Sequence, residues 1–161
     1  MGYYSALRTL EPTALSALHH TLRLQTHACL EFIDLTESII QLVNDTGIKN
    51  GFVNVQTKHT TTAIVINENE PLLLADMRRM LEQLAPQSRS YGHDDFQIRT
   101  VNLTPDEQPN GHSHCKALFL KTSETVNLVH GRLQLGQWQR IFFLELDRAR
   151  NREISVMILG L

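Results

Sequence analysis

Two runs near the C-terminus, "IFFLEL" at 141–146 and "ISVMILGL" at 154–161, are apolar on both faces of an extended chain. Side chains alternate along a strand, so a strand half exposed to water shows a polar residue at every second position. These runs lack that alternation. Each therefore needs a layer on both sides, or a neighbouring subunit. Together with "TVNLVH-GR-LQLG" before them they read as consecutive antiparallel strands, with Gly131 and the "DRARN" segment supplying turns.

The rest of the chain supplies candidate layers. "TLRLQTHACLEFIDL" alternates at Leu22, Leu24 and Thr26 and reads as a strand. Thr36 is placed as the N-cap of a helix whose apolar stripe is Ile39, Ile40, Leu42 and Val43, with Gly47 near its end. "GFVNVQT" and "TTAIVIN" are rich in β-branched residues and read as strands, with His59 between or within them. "NENEPLLLADMRRMLEQLAP" is the clearest helix. Asn69 or Glu70 starts it, Pro71 sits in its first turn, and Leu73, Leu74, Met77, Met80, Leu81 and Leu84 form the buried stripe. Residues 87–112 read as loop, with a weak strand signal at "FQIRTV". The expectation is one α+β domain over 1–161: a mixed, largely antiparallel sheet, sandwich or barrel-like, with two main helices. Residues 1–20 are hard to place and read as an N-terminal extension.

A net charge of -2 and a pI near 6.4 leave no basic field, so nucleic acid is not an expected partner. No apolar run reaches the ~20 residues that span a bilayer, and "MGYYSALRTLEPTAL" shows neither a secretory pattern nor the Ser or Thr at position 6 that myristoylation favours. The expected setting is cytoplasmic, with Cys29 and Cys115 as thiols. Neither cysteine sits in a pattern that suggests a catalytic thiolate, and no serine-centred triad is visible.

The chemistry-bearing stretch is "NGHSHC" at 110–115. If 112–120 is a strand, His112 and His114 share a face and make a good start for a metal site. If it is a helix, they stand roughly 200° apart at ~100° per residue and cannot share an ion. Spacing permits either. Three further stretches place polar residues where apolar ones would be cheaper: "KHTTTAIVINENE", "YGHDD" and "GQWQR". Each has an ordinary explanation as well: β-propensity for the threonines, a solvated loop for His93 with Asp94 and Asp95, a core anchor for Trp138.

"HTTTAIVINENE", "YGHDD", "HSHCKALFL" and "GRLQLGQWQRIFFLELD", in this order, resemble the YjbQ-like family, also named the secondary thiamine-phosphate synthase family. The resemblance runs from about residue 22 to the C-terminus. It implies a homotrimer and a metal-assisted joining of a pyrimidine-methyl pyrophosphate to a thiazole phosphate. It implies that His59, His93 and His114 hold one divalent ion, Zn or Mg, and that His112 is either incidental or an outer-shell group. Glu68, Asn69 and Asp76 would be the catalytic group, orienting the histidines or a second ion. Lys116, Ser123, Arg150 and Arg152 would bind a small phosphorylated substrate. "DRARNR" departs from the family's usual Gly-Pro turn, which loosens the placing of Arg150. Two other readings stand beside this one: a metal-dependent hydrolase with Glu68 or Asp94 as base, and a non-catalytic trimeric binder of a metal or small ligand.

Overall fold

The computed structural model describes residues 14–161. Residues 1–13 of the expected N-terminal extension, and with them most of the leader expectation, lie outside the described residues, whereas 16–20 are no extension: they form the first half of a strand paired with residues 156–160. From Leu15 onward the chain is an α+β fold of two antiparallel sheets. The larger has strand order β1 (Ser16–Gln25), β8 (Asn151–Gly160), β3 (Gly51–Thr57), β5 (Ser123–Val129), β6 (Arg132–Leu133). The smaller has the order β2 (Glu31–Asp34), β7 (Gln139–Glu145), β4 (Thr62–Glu68). Every strand pairing is antiparallel.

The doubly apolar β7 is explained by two cores. Ile141 and Phe143 point inward and meet Val53, Val55, Val126, Ile154, Val156 and Ile158 of the larger sheet. Helix α1 (Thr36–Thr46) closes this core with Ile39 and Val43. On its other face β7 sends Leu144 towards a second cluster that contains Leu81 of helix α2 (Pro71–Leu84) and Ala117 of helix α3 (Gly111–Ala117). Phe142 and Phe143 are both essentially buried, each contributing roughly 1.5–3 kcal/mol from apolar burial. β8 differs. Its Ile154, Val156 and Ile158 are buried, but Met157 on the alternate face is 37% exposed. Phe52 and Val129 from neighbouring strands β3 and β5 are exposed too.

Several local expectations shift. The strand expected over 21–35 breaks into β1 and β2 around a bend in which Leu30 takes a positive φ of 54°. Thr36 is the first residue of α1 rather than its cap, and its hydroxyl accepts the Ile141 N–H at 2.8 Å. Glu70 does cap α2, accepting from the N–H groups of Leu72 and Leu73. Of the expected α2 stripe Leu81 is buried, whereas Met80 and Leu84 are exposed, because the helix covers a narrow three-stranded sheet with little width to bury against. "FQIRTV" is turns and bends, not strand. "HSHCKA" is helix, which settles the ambiguity at 112–117.

Candidate functional site

Three separate segments deliver histidines to one cavity of about 430 Å³. His59 comes from the connection between β3 and β4, His93 from a 3₁₀ turn at Gly92–Asp94, and His114 from α3. The last two are brought together by Asp94. Its Oδ1 accepts from the backbone N–H of Asn110 at 2.9 Å and of Gly111 at 2.8 Å. A carboxylate there satisfies N–H groups at the start of α3 and complements the local dipole. It also clips the 3₁₀ turn onto α3, so that the rings of His93 and His114 lie 4.6 Å apart between centroids. Gly111 is required at this join. A Cβ on it would stand 2.6 Å from Tyr91 Cβ.

The helical geometry separates the two histidines of "HSH". His114 faces the cavity, whereas His112 is 3% exposed and lies with Lys116, one turn later, in the interior. Lys116 Nζ donates to Glu82 at 3.0 Å and to His112 Nδ1 at 3.1 Å. Lys116 is fully buried, so it is not among the residues that face a ligand in the histidine cavity.

The charged lining is mostly cationic. Lys58, Arg99, Arg150 and Arg152 line the cavity with one carboxylate, Glu107. Arg152 is bound bidentately by the fully buried Glu145, at 2.6 Å to each oxygen, which ties β8 to β7 beneath the cavity floor. Arg99 donates to the carbonyls of His93, Val101 and Asn102 and to Glu107, and so organises the loop that forms one wall. Arg150 pairs with Asp147 at 2.9 Å, but its Nε has no partner. The Asn110 side-chain oxygen is likewise unpartnered, in a residue only 5% exposed.

The ring nitrogens have defined roles. His59 Nε2 accepts the Glu153 N–H at 3.0 Å, and His93 Nε2 accepts from Arg99 at 3.1 Å. Burial holds His59 below the ordinary histidine pKa, helped by Arg152. Burial also lowers His114, with His93 and Arg99 adding to the effect. Both imidazoles are therefore kept neutral. Two of the Nε2 atoms are already engaged, and no three His, Cys, Asp or Glu side chains among the described residues stand close enough to hold one ion.

The other expected residues lie elsewhere. Glu68 and Asn69 sit at the far end of β4 from His59, roughly 20 Å away at the ordinary strand rise, and line a different cavity. Asp76 is on the outer face of α2, paired with Arg79. Ser123 opens β5 opposite Gln56 and does not line the histidine cavity. Sequence reading missed Lys58, Arg99, Asn102, Glu107 and a lining role for Asn110. The 93–107 loop has no periodicity to flag it, and its arginine hub is created only by folding.

These features define a class: a two-sheet α+β domain with a histidine–arginine cavity at one end of the sandwich. The family model described as "UPF0047 protein YjbQ-like" matches residues 20–161, and the chain belongs to that family. A UPF0047 protein of Methanothermobacter thermautotrophicus is 42% identical over 86% of this chain and 90% of its own length. The Bacillus subtilis UPF0047 protein YugU is 32% identical over 87% of this chain and 98% of its own. The crystal structure of a YbjQ-like protein of unknown function from Sulfolobus solfataricus superposes with a TM-score of 0.80 at 34% identity, covering 92% of this chain and all of that one.

The comparisons correct the activity drawn from the resemblance. These relatives carry only the name of an uncharacterised family, and the Sulfolobus protein is described as of unknown function. None is described as making thiamine phosphate, and that reading is withdrawn. No helix among the described residues is long and apolar enough to cross a membrane.

Proposed function

We propose that the histidine–arginine cavity binds a small phosphorylated ligand. The observation that carries this reading is the lining itself: three histidines, three arginines and a lysine converge on one cavity, the four cations being held in place by Glu153, Glu107, Asp147 and Glu145. A phosphate offers several acceptor oxygens to such donors, and charge-assisted hydrogen bonds are the strong ones. The volume, about 430 Å³, lies within the range of small-molecule sites. Neutral His114 adds a group that can donate to a phosphate oxygen or exchange a proton with the ligand, which suits acid–base chemistry on a phosphate ester. The divalent ion drops out of this proposal, because the donor set is turned to other partners and cations crowd the same wall. Isothermal titration with glycerol phosphate tests it: saturable binding that weakens in Arg150→Ala is expected, and equal affinity in the two proteins would refute it.

A second observation supports self-association. The open face of the larger sheet carries exposed Phe52, Val129 and Met157. We propose that this face is covered by other copies, in line with the homotrimer implied by the resemblance. Sedimentation equilibrium would then give about three times the 18.4 kDa chain mass, and a monomer mass would refute the proposal.

A further inference from the structure

The only tryptophan of the chain, Trp138, is 64% exposed, although a lone tryptophan is ordinarily a core anchor. It stands on the turn before β7, where Gly136 N–H donates to Gln139 Oε1 at 2.7 Å, and it lines a cavity of about 440 Å³ with Asp34, Glu68, Asn69, Glu70 and Arg140. This cavity is distinct from the histidine site, at the opposite end of β4.

The charges of this second cavity are unequal in how they are spent. Asp34 accepts from Arg140 at 2.8 Å, from Asn69 at 3.0 Å and from the Thr36 N–H at 2.9 Å. Glu70 is engaged by two N–H groups of α2. Arg140 is shared between Asp34 and Glu37. Glu68 is half-buried, and its carboxylate takes part in none of the side-chain hydrogen bonds or ion pairs among the described residues. Three carboxylates against one arginine leave an acidic lobe whose one uncommitted carboxylate stands in the same cavity as an exposed indole. The lobe opens onto an apolar groove between α1 and the β6–β7 turn. That groove is lined by Ile40, Val43, Leu133 and Leu135 together with the polar Asn44 and Arg132, and shares Gln137 and Arg140 with the lobe.

We propose that this lobe and groove bind a small organic ammonium ion with an apolar body. The indole face attracts a cation through its quadrupole. Glu68 supplies the counter-charge, and the groove takes the hydrocarbon. An anion is disfavoured by the excess of carboxylates, and a bare hydrated metal ion makes no use of the indole or the groove. This inference is independent of the phosphate reading, since it uses none of the same residues.

Trp138 is its own reporter. The experiment is a fluorescence titration of the full chain with benzylammonium, with benzyl alcohol as the neutral isostere and magnesium chloride alone as the inorganic control. Saturable change with benzylammonium is expected, with affinity roughly ten-fold above that for benzyl alcohol. Calorimetric titration of Glu68→Gln should show a similar loss for the ammonium and none for the alcohol, at an unchanged melting temperature. Equal binding of amine and alcohol, absence of saturation, or a response to magnesium alone would each overturn the proposal. If Glu68→Gln melts early, Trp138→Leu followed by calorimetry takes its place: undiminished ammonium binding there would also overturn it.

Discussion

The rings of His93 and His114 lie 4.6 Å apart although they belong to different segments, because Asp94, next to His93, caps the start of the helix that carries His114. The site is thus only as good as this clip. Gly111 sits inside it, with no room for a methyl group against Tyr91. Gly111→Ala is expected to cost roughly 1–3 kcal/mol through overpacking. It should also weaken phosphate binding by displacing His93. Denaturant melts beside titration calorimetry check this. Unchanged stability and affinity would mean that the turn is free to move away from α3.

Glu145 and Arg152 form a buried pair across the two sheets, both under 6% exposed. Removing one partner leaves an uncompensated buried charge, which costs roughly 3–5 kcal/mol. Glu145→Gln should therefore be much more damaging than any single loss among the exposed ion pairs, such as Asp76→Asn beside Arg79, where a change within about 0.5 kcal/mol is expected. Comparable effects in the two variants would contradict the buried role of Arg152.

Acid should weaken the fold earlier than the carboxylates require. His59, His112 and His114 are all held below the ordinary histidine value of 6.5, first by burial and then by neighbouring groups, Arg152 for His59, Lys116 for His112, and His93 with Arg99 for His114. For a group depressed in the folded state, the unfolded chain binds protons first. Stability is then intact above the unfolded value and is lost as pH falls through about 6.5 towards the folded values. Unfolding free energy measured at pH 7.5, 6.5 and 5.5 should fall along that series, and the fall should shrink in His112→Gln. A flat or rising series would contradict the burial of these rings in neutral form.

Treatment with a chelator should leave ligand binding in the histidine cavity unchanged, since the ring nitrogens of His59 and His93 already face an N–H and a guanidinium. Titration of glycerol phosphate before and after dialysis against EDTA measures this. Loss of binding that zinc or magnesium restores would show that the rings rearrange around an ion.

Much of the architecture was legible because it is written in periodicity. β7 advertised its two covered faces, and α2 announced itself by Glu70, Pro71 and its apolar spacing. The short α3 was not legible, because "HSHCKA" supports a strand or a helix equally until Asp94 caps it from 16 residues away. Of the site, the three histidines were found and do share a cavity. Lys116 was misplaced because helical spacing turns it inward with His112. Glu68 and Asn69 are close to His59 in sequence, but the straight run of β4 carries them to the opposite end of the sheet. A core anchor was the ordinary explanation for Trp138, and the turn after Gly136 instead holds it out in solvent.

The most direct test of the central claim is calorimetric titration of glycerol phosphate into the wild-type chain and Arg150→Ala. The account predicts saturable binding in the wild type and a loss of roughly 1.5–3 kcal/mol in the variant, the value of hydrogen bonds to a charged group. Binding of equal strength in both, or no binding to the wild type, would contradict a phosphate site in the histidine–arginine cavity.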